Sequence, residues 1–203
     1  MTKATVFVVD DDPGMRESLR FLIESVGLPV ETFERAEDFL AHYQPERPGC
    51  LILDVRMPGV GGLELQERLL GLGAATPTIM ITGYGDVPMS VRAMRNGAID
   101  FIEKPFSDQH LIEKINEALT RDTDQREESR KRELVMRRVR SLTPREREVL
   151  DGIIDGKANK VIAHELGLSS KTVEVHRARL MQKMGSDSVA SLVALLMKNE
   201  VEL

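Results

Sequence analysis

Residues 50–59 read CLILDVRMPG, and this stretch decides the fold of the first part of the chain. The apolar run Leu51–Leu53 predicts a short strand that is buried on both faces, as strands of parallel sheets are. Asp54 ends the run, and Pro58 and Gly59 then break regular structure. Asp54 is therefore predicted to lie at the carboxyl end of a strand, where open α/β sheets build their sites.

The composition of the 203-residue chain favours two domains and excludes several classes of protein. The sequence contains no run of 18 apolar residues, so we expect no membrane association, and its first residues lack the layout of a signal peptide. The single cysteine, Cys50, excludes an internal disulfide framework and is expected to be an inert core residue. These features predict a cytoplasmic protein.

Charge is unevenly distributed along the chain. Residues 1–120 carry 11 Lys and Arg against 19 Asp and Glu, residues 121–141 carry 8 against 5, and residues 142–203 carry 9 of each. We predict a first domain over 1–120, a charged linker over 121–141 and a second domain over 142–203. The linker lacks Gly and Pro, and two interpretations are open: a solvated helix that extends the preceding helix, which we favour, and a flexible connector.

Strand and helix patterns alternate through the first domain, which predicts an α/β fold with a doubly wound, five-stranded parallel sheet. The predicted strands cover residues 6–9, 28–33, 51–54, 78–82 and 99–103. The predicted helices cover residues 13–26, 36–43, 62–70, 86–96 and 107–119. Asp12 is expected to cap the first of these helices.

Polar residues end several of the predicted strands and are expected to meet at one edge of the sheet. These residues are Asp10, Asp11, Asp54, Thr82 and Lys104. Three clustered carboxylates raise one another's pKa unless a cation lies among them, and an oxygen-only ligand set suits Mg²⁺. Such a site can form an aspartyl phosphate, with Thr82 and Lys104 holding the phosphoryl group.

The order of these residues over positions 3–120 resembles the receiver domain of two-component response regulators. The resemblance implies a flavodoxin-like fold in which a cognate sensor histidine kinase phosphorylates Asp54. It implies a site for Mg²⁺, with Mn²⁺ as a substitute, that is held by Asp11, Asp54 and the backbone carbonyl of Arg56, with Asp10 assisting through water. It also implies that Lys104 pairs with the phosphoryl group and precedes a cis peptide bond to Pro105.

The resemblance also implies that two residues change position on phosphorylation. Thr82 is expected to move toward the phosphoryl group, and Phe101 occupies the position of a rotating aromatic residue. For Phe101, a role as an ordinary core residue stays open.

Rival classes of protein use the same aspartate. Haloacid-dehalogenase-type phosphatases also form an aspartyl phosphate, but they need a second Asp two residues further on, where this chain has Arg56. Enzymatic turnover of an external substrate is therefore not expected, beyond slow self-hydrolysis of the aspartyl phosphate. An interaction module with a degenerate site is disfavoured, because all five chemical positions are intact.

The second domain has the pattern of a small all-α, four-helix domain with a helix-turn-helix. The sequence Thr143-Pro144-Arg145-Glu146 predicts a capped helix start, and Gly156 is expected to end that helix. Further helices are predicted over residues 159–166, 170–184 and 188–199. The third helix carries four Lys and Arg against one Glu, a local excess that suits DNA phosphates, and its first half is expected to enter the major groove.

Three segments of this domain, LTPREREVL, NKVIAHELGLSSKTVEVH and RARLMQKM, resemble the LuxR/NarL-type DNA-binding domain, and TVEVHRA narrows the likeness to its FixJ-like branch. By position, the residues expected to face bases are Thr172, Glu174, Val175 and Ala178. Those expected near phosphates are Lys160, Lys171, His176, Arg177 and Lys183. Two roles are open for Glu174, which either accepts a hydrogen bond from a cytosine amino group or pairs with neighbouring cations. The fourth helix is expected to cover the core and to pair two subunits on DNA.

Together these features predict a transcription factor of a two-component system. Its receiver is expected to form a homodimer on phosphorylation through residues 87–103, and its helix-turn-helix to bind promoter DNA and activate transcription with RNA polymerase. Two schemes for regulation are open: the receiver masks the recognition helix, or it only adds dimer affinity. A DNA-binding protein that acts independently of phosphorylation is the alternative.

Overall fold

The computed structural model describes residues 3–199, which divide into two compact units between Arg126 and Glu127. The first unit contains the predicted parallel sheet, in the strand order β2-β1-β3-β4-β5. Its strands are β1 (Thr5–Val9), β2 (Val30–Phe33), β3 (Gly49–Asp54), β4 (Thr78–Thr82) and β5 (Asp100–Glu103). Its helices are α1 (Pro13–Ser25), α2 (Ala36–His42), α3 (Gly62–Gly71), α4 (Val87–Arg95) and the first part of α5 (Asp108–Arg140).

The alternating side chains of the strands form two cores, one on each face of the sheet. On one face Leu51 and Leu53 pack with residues of α2, α3 and α4, and on the other Ile52 packs with residues of α1 and α5. The chain therefore leaves β1 toward one face, through α1, and leaves β3 toward the other, through α3. Neighbouring strands whose connections diverge open a crevice beyond their carboxyl ends, and Asp10 and Asp54 lie at this point.

Most predicted boundaries lie within one or two residues of the observed ones, and the end of the last receiver helix differs by far more. β2 begins at Val30 rather than at residue 28, because the N–H of Leu28 donates to the carbonyl of Ile23 and so closes the end of α1. The last helix of the first unit does not end at residue 119, since α5 continues to Arg140. The segment predicted as a linker is thus helical up to Arg140.

The helix α5 takes part in both compact units. Toward its middle, the buried carboxylate of Asp122 accepts a hydrogen bond of 2.9 Å from the N–H of Gly49, the first residue of β3. Near its end, Val135 and Val139 are buried in the core of the second unit. Residues 127–134 between these parts are all exposed. The predicted linker is therefore built into its two neighbours at both ends, and these eight residues form its longest exposed run.

The second unit is the expected helical domain. Its helices after α5 are α6 (Pro144–Ile154), α7 (Asn159–Leu166), α8 (Ser170–Met184) and α9 (Val189–Lys198). Both hydrogen bonds of the predicted capping box between Thr143 and Glu146 are present. Gly167 has φ of 66°, a left-handed conformation that favours glycine, and it turns the chain from α7 toward α8. None of the helices within residues 3–199 combines the length and the apolar character of a membrane-spanning helix.

Candidate functional site

Lys104 joins the carboxyl ends of two strands at the edge of the sheet. Its Nζ donates to Oδ2 of Asp10 at 2.8 Å and to Oδ1 of Asp54 at 2.7 Å. Both carboxylates are buried, and the ammonium is largely covered. The backbone N–H of Lys104 donates to the carbonyl of Thr82 at 2.7 Å, which fixes the start of the side chain beside β4. The Lys104–Pro105 peptide bond is cis, as expected.

The pair of Asp54 and Lys104 has opposing electrostatic influences. Burial raises the pKa of Asp54 above its ordinary value, although the hydrogen bond from Lys104 and that from the Arg56 N–H, 2.7 Å from Oδ2, act against this shift. Burial alone would lower the pKa of Lys104, but its hydrogen bonds to Asp10 and Asp54 outweigh burial, so this pKa is raised. One ammonium therefore compensates two buried carboxyl groups.

The loop after β3 closes tightly on the backbone of Asp54. The N–H of Gly62, the first residue of α3, donates to the carbonyl of Val55 at 3.0 Å. A Cβ atom at Gly62 would lie 2.1 Å from the carbonyl oxygen of Asp54, a separation that real Cβ atoms do not adopt. The position of Asp54 thus depends on a glycine eight residues later in the sequence.

Thr82 and Phe101 contact the same loop between β4 and α4. The Tyr84 N–H donates to Oγ1 of Thr82, and this hydroxyl donates to the Tyr84 carbonyl, each at 3.2 Å. The partly buried ring of Phe101 packs on the core beside α4. A Cβ at Gly85 would lie 2.9 Å from the ring and 3.4 Å from the Thr82 methyl group, so both side chains line the space above this glycine.

The donor set at this edge fits Mg²⁺. Asp10 and Asp54 bring buried carboxylate oxygens that share a single ammonium, and Asp11 adds an exposed carboxylate next in sequence. Across the described residues, no three His, Cys, Asp or Glu side chains are already grouped as a metal cage. A cation that keeps several waters and needs few protein ligands is compatible with such a site, and Mg²⁺ has this character.

The helix α8 presents an exposed stripe on the second unit. The side chain of Ser169 caps it by accepting from the Thr172 N–H at 3.1 Å, and Val173 and Leu180 hold its opposite face in the core. Four residues at helical spacing are exposed: Lys171, Glu174, Val175 and Ala178. Among residues 3–199, the Glu174 carboxylate makes no hydrogen bond or ion pair, so it is free to accept from a ligand.

Two cations of α8 have partners within the second unit. Arg177 donates to Oδ1 of Asn159 at 2.8 Å, and Nζ of Lys183 donates to Oε2 of the buried Glu146 at 2.6 Å. These contacts tie α8 to α7 and α6. The remaining residues predicted near DNA phosphates are the exposed Lys160 and Lys171 and the partly buried His176.

Comparison with known proteins supports both halves of this description. Residues 6–116 match the response regulator receiver domain, and residues 140–196 match the luxR family of bacterial regulatory proteins. The chain is 44% identical over 201 residues to the transcriptional regulatory protein FixJ of Bradyrhizobium diazoefficiens, covering 97% of this chain and 96% of that protein. The chain belongs to the response regulators that carry a LuxR-type DNA-binding domain.

Other relatives of this response regulator extend the comparison. FixJ of Rhizobium meliloti is 43% identical, with 96% of each chain covered. The solved structure of the response regulator StyR has a TM-score of 0.88 at 48% identity, covering 97% of this chain and 99% of that one. Full-length FixJ from B. japonicum has a TM-score of 0.60 at 41% identity, with both chains covered completely. The chain is thus a two-component transcription regulator with a receiver and a LuxR-type helix-turn-helix.

In the receiver, the structure brings Asp10, Asp54 and Lys104 into direct contact, while Asp11 stays exposed beside them. Arg56 reaches Asp54 only through its backbone, and its guanidinium lies 5.5 Å from the centre of the Tyr84 ring. Three residues that hold the site residues in place were not predicted: Gly62, Tyr84 and Asn159. The pair Gly61-Gly62 was the only sequence signal for them, because the other two act through contacts that depend on packing.

Proposed function

We propose that this response regulator accepts a phosphoryl group on Asp54 from a sensor histidine kinase and converts it into dimerisation and promoter binding. The observation that carries the proposal is the ammonium of Lys104 between two buried carboxylates, Asp10 and Asp54. The buried carboxylate can act as a nucleophile, and the neighbouring ammonium can shift its hydrogen bond to the incoming phosphoryl group. This arrangement suits acceptance of a phosphoryl group.

In the transfer, a carboxylate oxygen of Asp54 attacks the phosphorus of the kinase's phosphohistidine. The P–N bond breaks, and its electron pair returns to the imidazole. Lys104 then exchanges its contact with Oδ1 of Asp54 for a phosphoryl oxygen, while the Arg56 N–H orients the acceptor. Thr82 exchanges its hydrogen bonds with Tyr84 for another phosphoryl oxygen.

The site would also hold a divalent cation. Its ligands would be oxygen atoms from Asp10, Asp11, Asp54 and the Arg56 carbonyl. A bound Mg²⁺, or Mn²⁺ in its place, would neutralise charge on the phosphoryl oxygens. Arg56 stands where a phosphatase needs an acid/base, so the aspartyl phosphate is expected to decay only slowly and no external substrate is turned over.

An exposed aromatic side chain on α1 supports a docking surface for the kinase. Phe21 on α1 is 77% exposed and lines a shallow groove with Glu17, Ser18 and Asp108. The helix α1 begins next to Asp10 and Asp11, so a partner that contacts this groove can bring a phosphohistidine toward the acceptor. We infer that Phe21 contributes to kinase docking.

An apolar stripe on α4 supports the proposed dimer interface. Val87, Val91 and Met94 lie at spacings of four and three residues and are exposed, with Val87 at 76%. The loop that Thr82 and Phe101 contact leads directly into α4. A change at Thr82 on phosphorylation would therefore reach this stripe, together with β5, and favour a homodimer.

The exposed stripe of α8 supports DNA binding through the major groove. We propose that Thr172, Glu174, Val175 and Ala178 face bases, and that Lys160, Lys171, His176, Arg177 and Lys183 lie near phosphates. The unpartnered carboxylate of Glu174 favours a hydrogen bond from a cytosine amino group over pairing with its neighbours. Binding of the dimer to a promoter would then regulate transcription by RNA polymerase.

The test is phosphorylation of the full chain with acetyl phosphate and Mg²⁺, followed by intact mass and light scattering. We expect one phosphoryl group and a shift from monomer to dimer, both absent in Asp54→Asn. Val91→Lys should be phosphorylated and stay monomeric, whereas Val26→Lys, an equally exposed valine on another face, should dimerise. Absence of the adduct would contradict acceptance by Asp54, and a phosphorylated monomer would contradict dimerisation through α4.

A further inference from the structure

We propose that Arg16 is a positioning residue for the divalent cation of the receiver, because it holds the backbone that orients Asp11 as a ligand. This inference rests on the proposed function, to which the cation belongs. Arg16 lies near the start of α1, and its side chain is only 17% exposed. It would act through the carboxylate of Asp11, without touching the cation or the phosphoryl group.

The guanidinium of Arg16 joins α1 to the end of β1. Its Nη1 donates to the carbonyl of Asp10 at 2.7 Å, and its Nη2 lies 4.0 Å from Oε2 of Glu34. A hydrogen bond from a charged donor is roughly twice as strong as one between neutral groups. The Asp10 carbonyl is therefore firmly held by a residue six positions later in the sequence.

The bond from Arg16 fixes the backbone on one side of Asp11. The Asp10 carbonyl shares a planar peptide unit with the N–H of Asp11, so holding this carbonyl fixes the plane before Asp11. On the other side, Oδ1 of Asp10 accepts from the N–H of Asp12 at 2.9 Å, which fixes the plane after Asp11. Asp10 itself is tied to the sheet, since its N–H donates to the carbonyl of Phe33 at 3.2 Å.

The side chain of Asp11 has no such support of its own. In the described part of the chain, its exposed carboxylate makes no hydrogen bond or ion pair. Its direction therefore depends on the backbone that Arg16 holds. Partners that orient the ligands of a metal contribute roughly 10- to 100-fold in metal affinity or activity. Because Arg16 acts through the backbone of one ligand among several, we expect an effect at or below the lower end of this range.

The positive charge of Arg16 has the opposite influence on a bound cation. Like charges repel, so removing the guanidinium would by charge alone strengthen the binding of Mg²⁺. Loss of the bond to Asp10 would instead weaken binding, since Asp11 would lose its fixed direction. The sign of the change thus separates a positioning role from a purely electrostatic one. The nearby carboxylate of Glu34 offsets part of the charge, so the loss of position should prevail.

The experiment is a titration of the ¹⁵N-labelled full chain with MgCl₂, without a phosphoryl donor, followed by amide chemical shifts. Arg16→Met and Arg16→Gln remove the charged donor, and each should raise the dissociation constant for Mg²⁺ roughly three- to tenfold. Arg16→Lys keeps a charged donor and should stay within about twofold of the natural chain. In labelling by acetyl phosphate, the two neutral variants should need more Mg²⁺ for the half-maximal rate, with little change in the rate at saturating Mg²⁺.

A matched variant shows whether the effect is specific to Arg16. Arg20→Met removes the same charge from α1 one turn later, where the guanidinium donates to the hydroxyl of Thr32, and it should leave the affinity for Mg²⁺ unchanged. Unchanged or tighter binding by the neutral Arg16 variants would overturn the proposal, as would an equal loss in Arg20→Met or in Arg16→Lys. If the natural chain itself bound no Mg²⁺, the proposed metal site would fail as well. If the natural chain and Arg16→Met bound Mg²⁺ equally, this inference alone would be overturned.

Discussion

The ammonium of Lys104 lies 2.7 Å from Oδ1 of Asp54, the proposed phosphoryl acceptor. This ion pair opposes the effect of burial on the carboxyl group, yet it also occupies one of the two oxygens that can attack phosphorus. Burial and the ion pair act in opposite directions on Asp54, and burial is the larger influence. The chemistry of the site should therefore depend on pH.

Phosphorylation should be lost in acid at a higher pH than for an ordinary aspartate. Because burial raises the pKa of Asp54 above 3.8, the neutral carboxyl group, which is not a nucleophile, accumulates earlier as the pH falls. The measurement is the rate of labelling by acetyl phosphate across a pH series, corrected for decay of the reagent. An apparent pKa at or below 3.8 would contradict this account.

The same shift predicts that the acceptor destabilises the native fold at neutral pH. The native chain holds the Asp54 proton more tightly than the unfolded chain, so the free energy of unfolding falls as the pH rises through the raised pKa. Asp54→Asn, which cannot ionise, should be more stable than the natural chain at neutral pH, with the gap closing in acid. Urea denaturation at several pH values measures this, and a variant less stable at neutral pH would refute it.

Gly62→Ala should be strongly destabilising. The added methyl group would meet the Asp54 carbonyl at 2.1 Å, so the loop after β3 must move. We expect a loss on the order of 3 kcal/mol in the free energy of unfolding, and slower phosphorylation. Gly71→Ala in the same helix meets nothing within 4 Å and should be neutral or stabilising by up to about 1 kcal/mol. Similar results for the two variants would show that the close approach at Gly62 is tolerated.

Phe21→Ala should affect phosphorylation by the kinase but not phosphorylation by acetyl phosphate. Loss of the exposed ring should slow transfer from the cognate kinase severalfold, whereas labelling by acetyl phosphate, which needs no docking surface, should not change. Leu72→Ala is the control, because Leu72 is 67% exposed at the end of α3, away from α1. Rates of phosphotransfer from the purified kinase give the answer, and equal slowing with both donors would place the defect in the receiver itself.

Lys183→Met should destabilise the DNA-binding domain by about 1–2 kcal/mol, since it leaves the buried Glu146 without its cation. The side-chain hydrogen bond from Lys183 lowers the pKa of Glu146, so this stabilisation is present at neutral pH and is lost as the pH falls through that lowered pKa. Thermal unfolding at neutral and acidic pH tests both parts. Lys171→Met in the same helix, at an exposed position, should have little effect, and an equal loss there would exclude a specific role for the ion pair.

The sequence predicts the order of the sheet and the meeting of Asp54 with Lys104, because parallel strands bring their carboxyl ends to one edge whatever lies between them. It leaves open the extent of α5, because this charged segment has no Gly or Pro that would end a helix. The sequence also does not show that the helix becomes buried in the second unit from Val135 onward. It does not predict the contact of Gly62 with Asp54 or the pairing of Lys183 with Glu146. Each of these depends on how side chains from separate elements pack. The DNA contacts of α8 stay a prediction.

Glu146 of the capping box also accepts a hydrogen bond from Lys183, so it anchors the end of α8, the helix proposed to bind DNA. Together with the Ser169 cap and the bond from Arg177 to Asn159, it fixes α8 at its beginning, middle and end before any ligand arrives. A helix that is ordered in advance loses little conformational entropy when it enters a groove. Discrimination between promoters would then depend on base contacts and on the deformability of the DNA, rather than on folding coupled to binding.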